Sequence, residues 1–155
     1  MAVQDNKYLT LCLAEEIYAI PILKIREIIG MLPITPVPRV PKSLKGVLNL
    51  RGKIFPVIDL RLNFDLEEKE YDNETSIIII EIDLPTGKKT NGIIVDSVQE
   101  VLTISPDKID PPPKYGVGID NSFLLGMGKV GEKVVMILNV DEILTKEEKQ
   151  SIENI

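Results

Sequence analysis

The stretch that decides the fold runs Gly46-Val-Leu-Asn-Leu-Arg-Gly-Lys-Ile-Phe-Pro-Val-Ile-Asp-Leu60. Its apolar runs, residues 47–50 and 54–58, are rich in side chains that suit a pleated sheet. Arg51-Gly-Lys53 provides the turn between them. The stretch therefore predicts a β-hairpin that carries a cation at its tip.

The chain contains this pattern twice. Residues 46–60 align without a gap on residues 126–140, and residues 19–29 align in the same way on residues 92–102. Such internal similarity indicates two related structural units. The second copy has seven more residues between its blocks, and we place them in the proline-rich segment 105–122.

The connectors between the aligned blocks are not expected to be helical. Residues 34–41 connect the blocks of the first copy, and residues 105–122 connect those of the second. Both contain several prolines, which remove backbone donors and favour an extended chain.

Each copy holds about five short strands, which suits a small SH3-like barrel. We therefore predict a mainly β fold of two SH3-like five-stranded barrels related by the repeat, with short helices and a C-terminal helix. The first barrel is expected at about residues 15–75 and the second at about 76–145. The terminal segments 1–14 and 146–155 would complete the barrels, so that residues 1–155 form a single domain.

Three helix starts are predicted from capping patterns. Asp59 and Asp141 each follow the last strand of a copy, where a carboxylate can accept hydrogen bonds from free amides. Thr145 and Glu148 have capping-box spacing near the end of the chain.

Composition limits the classes of partner and the compartment. The chain has 18 basic and 24 acidic residues and a net charge of −6, which would repel a phosphate backbone, so no nucleic-acid partner is expected. Cys12 is the only cysteine, so no internal disulfide is possible. No apolar run reaches the roughly 20 residues needed to cross a bilayer. We expect a cytoplasmic protein without direct membrane insertion.

Catalysis has little support in the sequence. The chain has no histidine, and Cys12 lies in an apolar run. No metal-ligand spacing appears, so we expect no enzyme activity, no catalytic residue, no metal and no cofactor. Gly126-Met-Gly-Lys-Val-Gly131 matches a dinucleotide fingerprint, but that site needs a helix after the glycines, whereas here an apolar strand follows. A small-molecule or nucleotide-binding enzyme built around residues 126–131 and a self-associating structural module remain as alternative hypotheses.

Arg51 differs from its counterpart in the repeat. The second copy has Gly131 at the same place, so the shared fold does not require the arginine. One interpretation is a partner contact, because arginine is enriched at binding hot spots. The other is a solubilising turn cation of little energetic consequence.

Ile25 and Ile28 correspond to Val98 and Val101 in the second copy. Because these four positions are apolar in both copies, the simplest interpretation places them in the core. Two barrels related by an approximate two-fold axis would also leave an apolar groove at their boundary, and such a groove can accept an amphipathic helix.

The chain closely resembles CheW-type chemotaxis coupling proteins over almost its whole length. Residues 19–29, Ile34-Thr-Pro-Val-Pro38, residues 45–61 and residues 92–102 carry the resemblance. It implies a scaffold without catalytic activity that joins transmembrane chemoreceptors to a CheA-type histidine kinase, at the inner face of the membrane through receptor arrays. At 155 residues the chain has no room for a kinase or receiver domain, and a complete stand-alone protein is expected.

The resemblance also implies partners and sites. One barrel would pair with the regulatory domain of the kinase, and the groove between barrels would take the cytoplasmic tip of methyl-accepting chemoreceptors. The positions that match those important for coupling are Glu27, Gly46, Asn49, Arg51 and Gly52, with Arg51 as the central polar contact. The positions that would line or support the receptor groove are Ile25, Ile28, Val98 and Val101.

Overall fold

The computed structural model describes residues 6–112, 121–153 and 155. Within these residues the strands are, in chain order, β1 (Lys7–Leu13), β2 (Glu16–Pro21), β3 (Ile25–Gly30), β4 (Leu44–Leu50), β5 (Lys53–Asp59), β6 (Ser76–Leu84), β7 (Gly87–Val95), β8 (Ser97–Thr103), β9 (Ile109–Asp110), β10 (Leu124–Val130) and β11 (Lys133–Leu138). The α-helices are α1 (Leu60–Asn63) and α2 (Lys146–Glu153), and 3₁₀ turns lie at Ile22–Lys24 and Pro106–Lys108.

These strands form two curled sheets. The six-stranded sheet has the order β8-β1-β2-β11-β10-β9, and the five-stranded sheet has the order β3-β6-β7-β5-β4. Neighbouring strands are antiparallel except for β2 with β11 and β5 with β7, which are parallel. The predicted mainly β fold is confirmed, and the curled sheets are consistent with a pair of SH3-like barrels.

The repeat is visible in the strand register. In the first copy Gly46 on β4 lies opposite Val57 on β5, after a bulge next to Leu44. In the second copy Gly126 on β10 lies opposite Ile137 on β11, after a bulge at the equivalent place. The aligned sequence blocks therefore fold into matching hairpins.

The copies exchange strands between the sheets. Val57 of the first copy pairs with Gly92 of the second, and Ile137 of the second copy pairs with Ala19 of the first. The five-stranded sheet consequently contains β6 and β7 beside β3–β5, whereas β1 and β2 belong to the six-stranded sheet. This strand membership differs from the predicted division near residue 75. The reason is that the parallel partner of each copy's last strand comes from the other copy.

The largest apolar core contains side chains from both sheets. It includes residues that are equivalent in the repeat, such as Leu44 with Leu124 and Ile58 with Leu138, all nearly or fully buried. Two smaller cores each draw on one sheet only. Fully burying a side chain of this size stabilises the fold by about 1.5–3 kcal/mol, so the shared core is a major link between the sheets.

The helix start at Asp59 is confirmed, and the one at Asp141 is wrong. Asp59 Oδ1 accepts a hydrogen bond of 2.9 Å from the Arg61 amide, and α1 begins at the next residue. No helix begins at Asp141. The structural counterpart of Asp59 is Asn139, whose Oδ1 accepts from the Asp141 amide at 3.3 Å. The chain then forms a turn rather than a helix.

The capping box before α2 is confirmed. The Glu148 amide donates to Thr145 Oγ1 at 3.1 Å, and the Thr145 amide donates to Glu148 Oε1 at 2.8 Å. Glu148 is fully buried and also accepts hydrogen bonds from Ser43 Oγ and from Asn63 Nδ2. The cap thus ties α2 to the first copy.

The proline-rich connectors contain no α-helix in their described parts. Residues 34–41 are irregular apart from one bridge, in which Thr35 pairs with Val47. The second connector begins with the 3₁₀ turn at Pro106–Lys108 and the short strand β9. Its residues 113–120 lie outside the described residues.

Candidate functional site

The tip of the β4–β5 hairpin is a two-residue turn. Leu50 lies opposite Lys53, and the residues between them, Arg51 and Gly52, have φ angles of +51° and +85°. Asn49 Oδ1 accepts a hydrogen bond of 3.1 Å from the Gly52 amide. The predicted hairpin is confirmed, and Asn49 has a structural role in its turn.

Arg51 occupies a backbone conformation that disfavours L-amino acids. A positive φ brings the Cβ atom close to the following carbonyl, a cost that glycine escapes. At the equivalent place in the second copy Gly131 has a φ of +62°. The hairpin therefore forms with a glycine at this position, and Arg51 is present despite its backbone cost. A residue held in an unfavourable conformation motivates a functional hypothesis.

The Arg51 guanidinium is oriented by Glu27. Nη2 donates to Glu27 Oε1, and Nη1 lies 3.3 Å from Glu27 Oε2. The hydrogen bond and the charge of Glu27 raise the pKa of Arg51. Glu27 lies on β3 and Arg51 follows β4, and these strands are the two ends of the five-stranded sheet. The ion pair thus joins the two edges of the curled sheet.

The ion pair remains accessible to a partner. The side chain of Arg51 is 69% exposed and that of Glu27 is 34% exposed. A shallow cleft of about 370 Å³ lies beside them. Ile54, the second residue of β5, is also strongly exposed on the same hairpin. An arginine next to exposed apolar area is typical of protein-binding surfaces.

Ile54 is a candidate site residue that was not predicted from the sequence. Strand alternation alone would direct Ile54 away from the face that the exposed Lys53 occupies, so the signal lies in the repeat rather than in this hairpin. Val134 occupies the equivalent position of the second hairpin and is also exposed. An apolar residue at a turn-proximal, outward position in both copies is therefore a feature that the repeat alignment contained.

Gly46 and Gly52 have structural explanations. A Cβ atom on Gly46 would lie 2.0 Å from the backbone oxygen of Thr35, so only glycine lets the connector pass at this distance. Its counterpart Gly126 is approached in the same way by the backbone oxygen of Asp110, at 2.6 Å. Gly52 faces open space, and its positive φ alone favours glycine. A partner contact at either glycine stays a prediction.

Ile25, Ile28, Val98 and Val101 lie on the edge strands β3 and β8. Ile28 is 43% exposed and Val101 is 51% exposed, so their interpretation as core residues is wrong. Each lies on an edge strand, whose outer side has no neighbouring strand. Ile25 and Val98 are half-buried and pack against the shared core. In both copies the edge strand therefore has one apolar residue on the core and another exposed.

The glycines of the dinucleotide-like pattern belong to a hairpin. Gly126 and Gly128 lie on β10, and Gly131 lies in the turn before β11. Gly128 also packs closely, because a Cβ atom there would lie 3.2 Å from the Ile104 side chain. A strand follows the pattern, where a phosphate site would need the N-terminus of a helix. Hairpin geometry and close packing thus explain these glycines.

The described residues offer neither a metal site nor a membrane-spanning helix. No group of three or more His, Cys, Asp and Glu side chains there is arranged to hold a metal ion. Among the helices of the same residues, none is both long and apolar enough to cross a bilayer.

Comparison with known proteins gives concordant matches. A family model described as a CheW-like domain matches residues 7–148. A protein named chemotaxis protein CheW from Klebsiella aerogenes is 35% identical, over 97% of this chain and 88% of its own. One of the same name from Helicobacter pylori is 35% identical, over 93% of this chain and 87% of its own. The crystal structure of the scaffolding protein TtCheW from Thermoanaerobacter tengcongensis has a TM-score of 0.80 and 36% identity, and covers 90% of this chain and 92% of that chain.

Proposed function

Because the chain belongs to the family of CheW-like domains, we propose that it is a non-enzymatic chemotaxis adaptor. In this role it couples transmembrane chemoreceptors to a CheA-type histidine kinase and lets receptor signals control the kinase. It acts in the cytoplasm, at the inner face of the membrane, through contacts with the receptors. The relatives named chemotaxis protein CheW and the scaffolding protein of similar structure support this proposal.

One observation carries the assignment of a coupling surface to this chain. Arg51 is held at a positive φ and oriented by Glu27, whereas the equivalent turn has Gly131. A guanidinium has five N–H donors, so the donors of Arg51 that are not paired with Glu27 can bind a carboxylate or carbonyl of a partner. We assign Arg51 as the central contact of the coupling surface. Glu27 orients it, and Asn49 with Gly46 and Gly52 shapes the hairpin that presents it.

The receptor contact is proposed at the edge strands. Ile28 and Val101 present exposed apolar side chains, and Ile25 and Val98 support them from the shared core. An amphipathic helix binds such a surface by laying its apolar face against it. The helical tip of a receptor has this chemistry.

Capture by the immobilised protein tests the proposal. The protein should retain the regulatory domain of a CheA-type kinase and a receptor signalling fragment. Arg51→Glu should weaken at least one interaction by about tenfold or more, as charge reversal at a hot spot does. The matched control is Lys133→Glu, which reverses an exposed charge beside the equivalent turn. Failure of the wild-type protein to bind either partner would refute the function, and unchanged binding by Arg51→Glu would refute the site.

A further inference from the structure

An open apolar cleft of about 460 Å³ lies apart from the surfaces assigned above. Three aromatic side chains form its wall: Tyr18 and Phe64 have ring centroids 5.5 Å apart, and Phe64 and Phe123 are also 5.5 Å apart. Met136 on β11 also lines the cleft. Its volume and lining are typical of a binding site rather than of a packing defect.

The repeat identifies the counterpart of this cleft in the other half of the molecule. The Asn139 amide donates to the Phe123 oxygen at 2.8 Å, and the Asp59 amide donates to the Ser43 oxygen at 2.7 Å. Phe123 and Ser43 are therefore structurally equivalent. The pairing of Ala19 and Gly92 in the two parallel ladders likewise makes Tyr18 the equivalent of Asn91.

Helix α2 lies at this counterpart. Its buried Glu148 accepts a hydrogen bond from Ser43 Oγ, and its fully buried Ile152 packs into the shared core. Lys89, two residues before Asn91 on β7, donates from Nζ to the Ile152 oxygen at 2.9 Å. In the first copy, a helix therefore packs at this position with two side chains four residues apart, Glu148 and Ile152, directed inward.

The cleft differs from its counterpart in polarity. Tyr18 stands in the place of Asn91, and Phe123 stands in the place of Ser43. Because the Phe123 ring has no hydroxyl, it cannot donate a hydrogen bond to an inward glutamate as Ser43 does to Glu148. A helix in the cleft is expected to present a large apolar side chain there instead. Asp65 and Glu142 are exposed at the rim of the cleft, and their charges favour basic residues on the occupant.

We propose that this cleft binds an amphipathic helix of a partner protein. The helix carries two large apolar side chains at i and i+4, flanked by lysine or arginine. The packing of α2 against the first copy is the geometric model for this helix. The aromatic side chains of the cleft favour the two apolar side chains, and the acidic residues at its rim favour the flanking basic residues. This surface is separate from the Arg51 hairpin and from the edge strands β3 and β8, so the adaptor has a third place for a partner.

Titration with a designed peptide tests the inference. The probe is an alanine-based peptide of about 18 residues, long enough to be helical, with leucines at i and i+4 and flanking lysines. Nuclear magnetic resonance should show shifts at the Met136 methyl group and the Phe123 ring. Phe123→Ser, which copies the residue of the first repeat, should weaken binding by at least about tenfold. Val134→Ser, which removes an exposed apolar side chain elsewhere on the second copy, should leave it unchanged.

Charge reversal at the rim keeps the test independent of core packing. The double variant Asp65→Lys, Glu142→Lys should lose affinity for the lysine-flanked peptide and gain affinity for a glutamate-flanked version. The inference is overturned if no shift occurs at Met136 up to about 1 mM peptide, the weakest binding that such a titration detects well. It is also overturned if a peptide with leucines on opposite faces binds equally well. Concentration-dependent dimers that dissociate in Phe123→Ser would instead identify a second copy of this chain as the occupant.

Discussion

At the scale of single residues, Arg51 is a side chain that the repeated fold does not require and that we propose as a partner contact. Arg51→Gly removes both the positive-φ cost and the ion pair with Glu27, and these two changes oppose each other in stability. We expect the melting temperature to stay within about 3 °C of wild type, a small change for a protein of this size. Capture of at least one partner should nevertheless fall. Thermal unfolding and the capture assay together check this prediction.

The converse variant supplies the control. Gly131→Arg puts an arginine side chain into open space at a φ of +62°. It should destabilise the protein by about 1 kcal/mol, from the backbone cost alone, and should leave capture unchanged. A large drop in the melting temperature of Arg51→Gly would contradict the argument, because the pair with Glu27 would then be a structural requirement.

Gly46 represents the opposite case, a residue that the fold alone explains. Gly46→Ala would place a Cβ atom 2.0 Å from the Thr35 oxygen, and because that atom belongs to the backbone, the connector must move. We expect a loss of about 3 kcal/mol in the free energy of unfolding, in the upper range for overpacking. Urea denaturation measures it. Gly131→Ala, with no atom nearby, is the matched control, and equal losses in the two variants would show that steric conflict is not the cause.

At the scale of elements, a partly buried ion pair holds α1 against two turns. Arg61 on α1 donates to both carboxylate oxygens of Asp96, at 2.8 and 3.0 Å, and the Ala14 amide donates to Asp96 at 2.9 Å. The second copy reverses the charges, since Asp141 replaces Arg61 and accepts from Lys24 at 2.9 Å. The equivalent residues Arg61 and Asp141 thus each form an ion pair with the other copy, with the charges interchanged.

The Asp96 pair predicts an acid-sensitive contribution to stability. Burial alone would raise the pKa of Asp96, but hydrogen bonds from Arg61 and the Ala14 amide lower it below its usual value. A lowered pKa in the folded state gives stability that is present above the unfolded value of about 3.9 and is lost as the pH falls further. In urea denaturation, Asp96→Asn should cost roughly 1–3 kcal/mol at pH 7. The difference from wild type should shrink below about pH 4. A constant difference down to pH 3 would contradict this explanation.

The sequence predicts elements well where the pattern is local. The hairpin at residues 46–60 follows from apolar runs and a turn, and the capping box at Thr145 and Glu148 follows from residue types three positions apart. The predicted helix start at Asp141 is wrong. The residue equivalent to Asp59 is Asn139, whose side chain accepts a hydrogen bond from the Asp141 amide in a turn. An aspartate in a turn offers the same local signal whether or not a helix follows, so packing decides the outcome.

At the scale of the whole molecule, the missed features depend on which strands meet. Arg51 contacts Glu27 because the curling of the sheet brings its two edge strands, β3 and β4, together. No short sequence pattern predicts that these two strands approach each other. The exchange of strands between the two sheets cannot be predicted from the sequence for another reason. Because the copies resemble each other, a strand such as β7 satisfies the pairing rules beside β5 or β11 equally well in sequence. The exposure of Ile28 and Val101 follows from their positions on edge strands, which only the assembled sheets define.

Strand exchange predicts that the two sheets unfold together. Each sheet contains strands of both copies, and Val57 and Ile137 form their parallel ladders across the repeat boundary. Because the largest core also draws on both sheets, each sheet loses its share of that core when the other opens. Urea unfolding should therefore give one transition, coincident by far-ultraviolet circular dichroism and by tyrosine fluorescence.

A core substitution makes the same prediction sharper. Ile78→Ala, on β6 of the five-stranded sheet and fully buried in the shared core, should lower stability by about 2–5 kcal/mol. Under native conditions the amides of Ile137, in the other sheet, should then exchange faster by the same free energy as those of Val57. Ile28→Ala, on the exposed edge, is the control and should change neither rate appreciably. Two resolved transitions, or faster exchange confined to the five-stranded sheet, would mean that the two sheets are energetically independent.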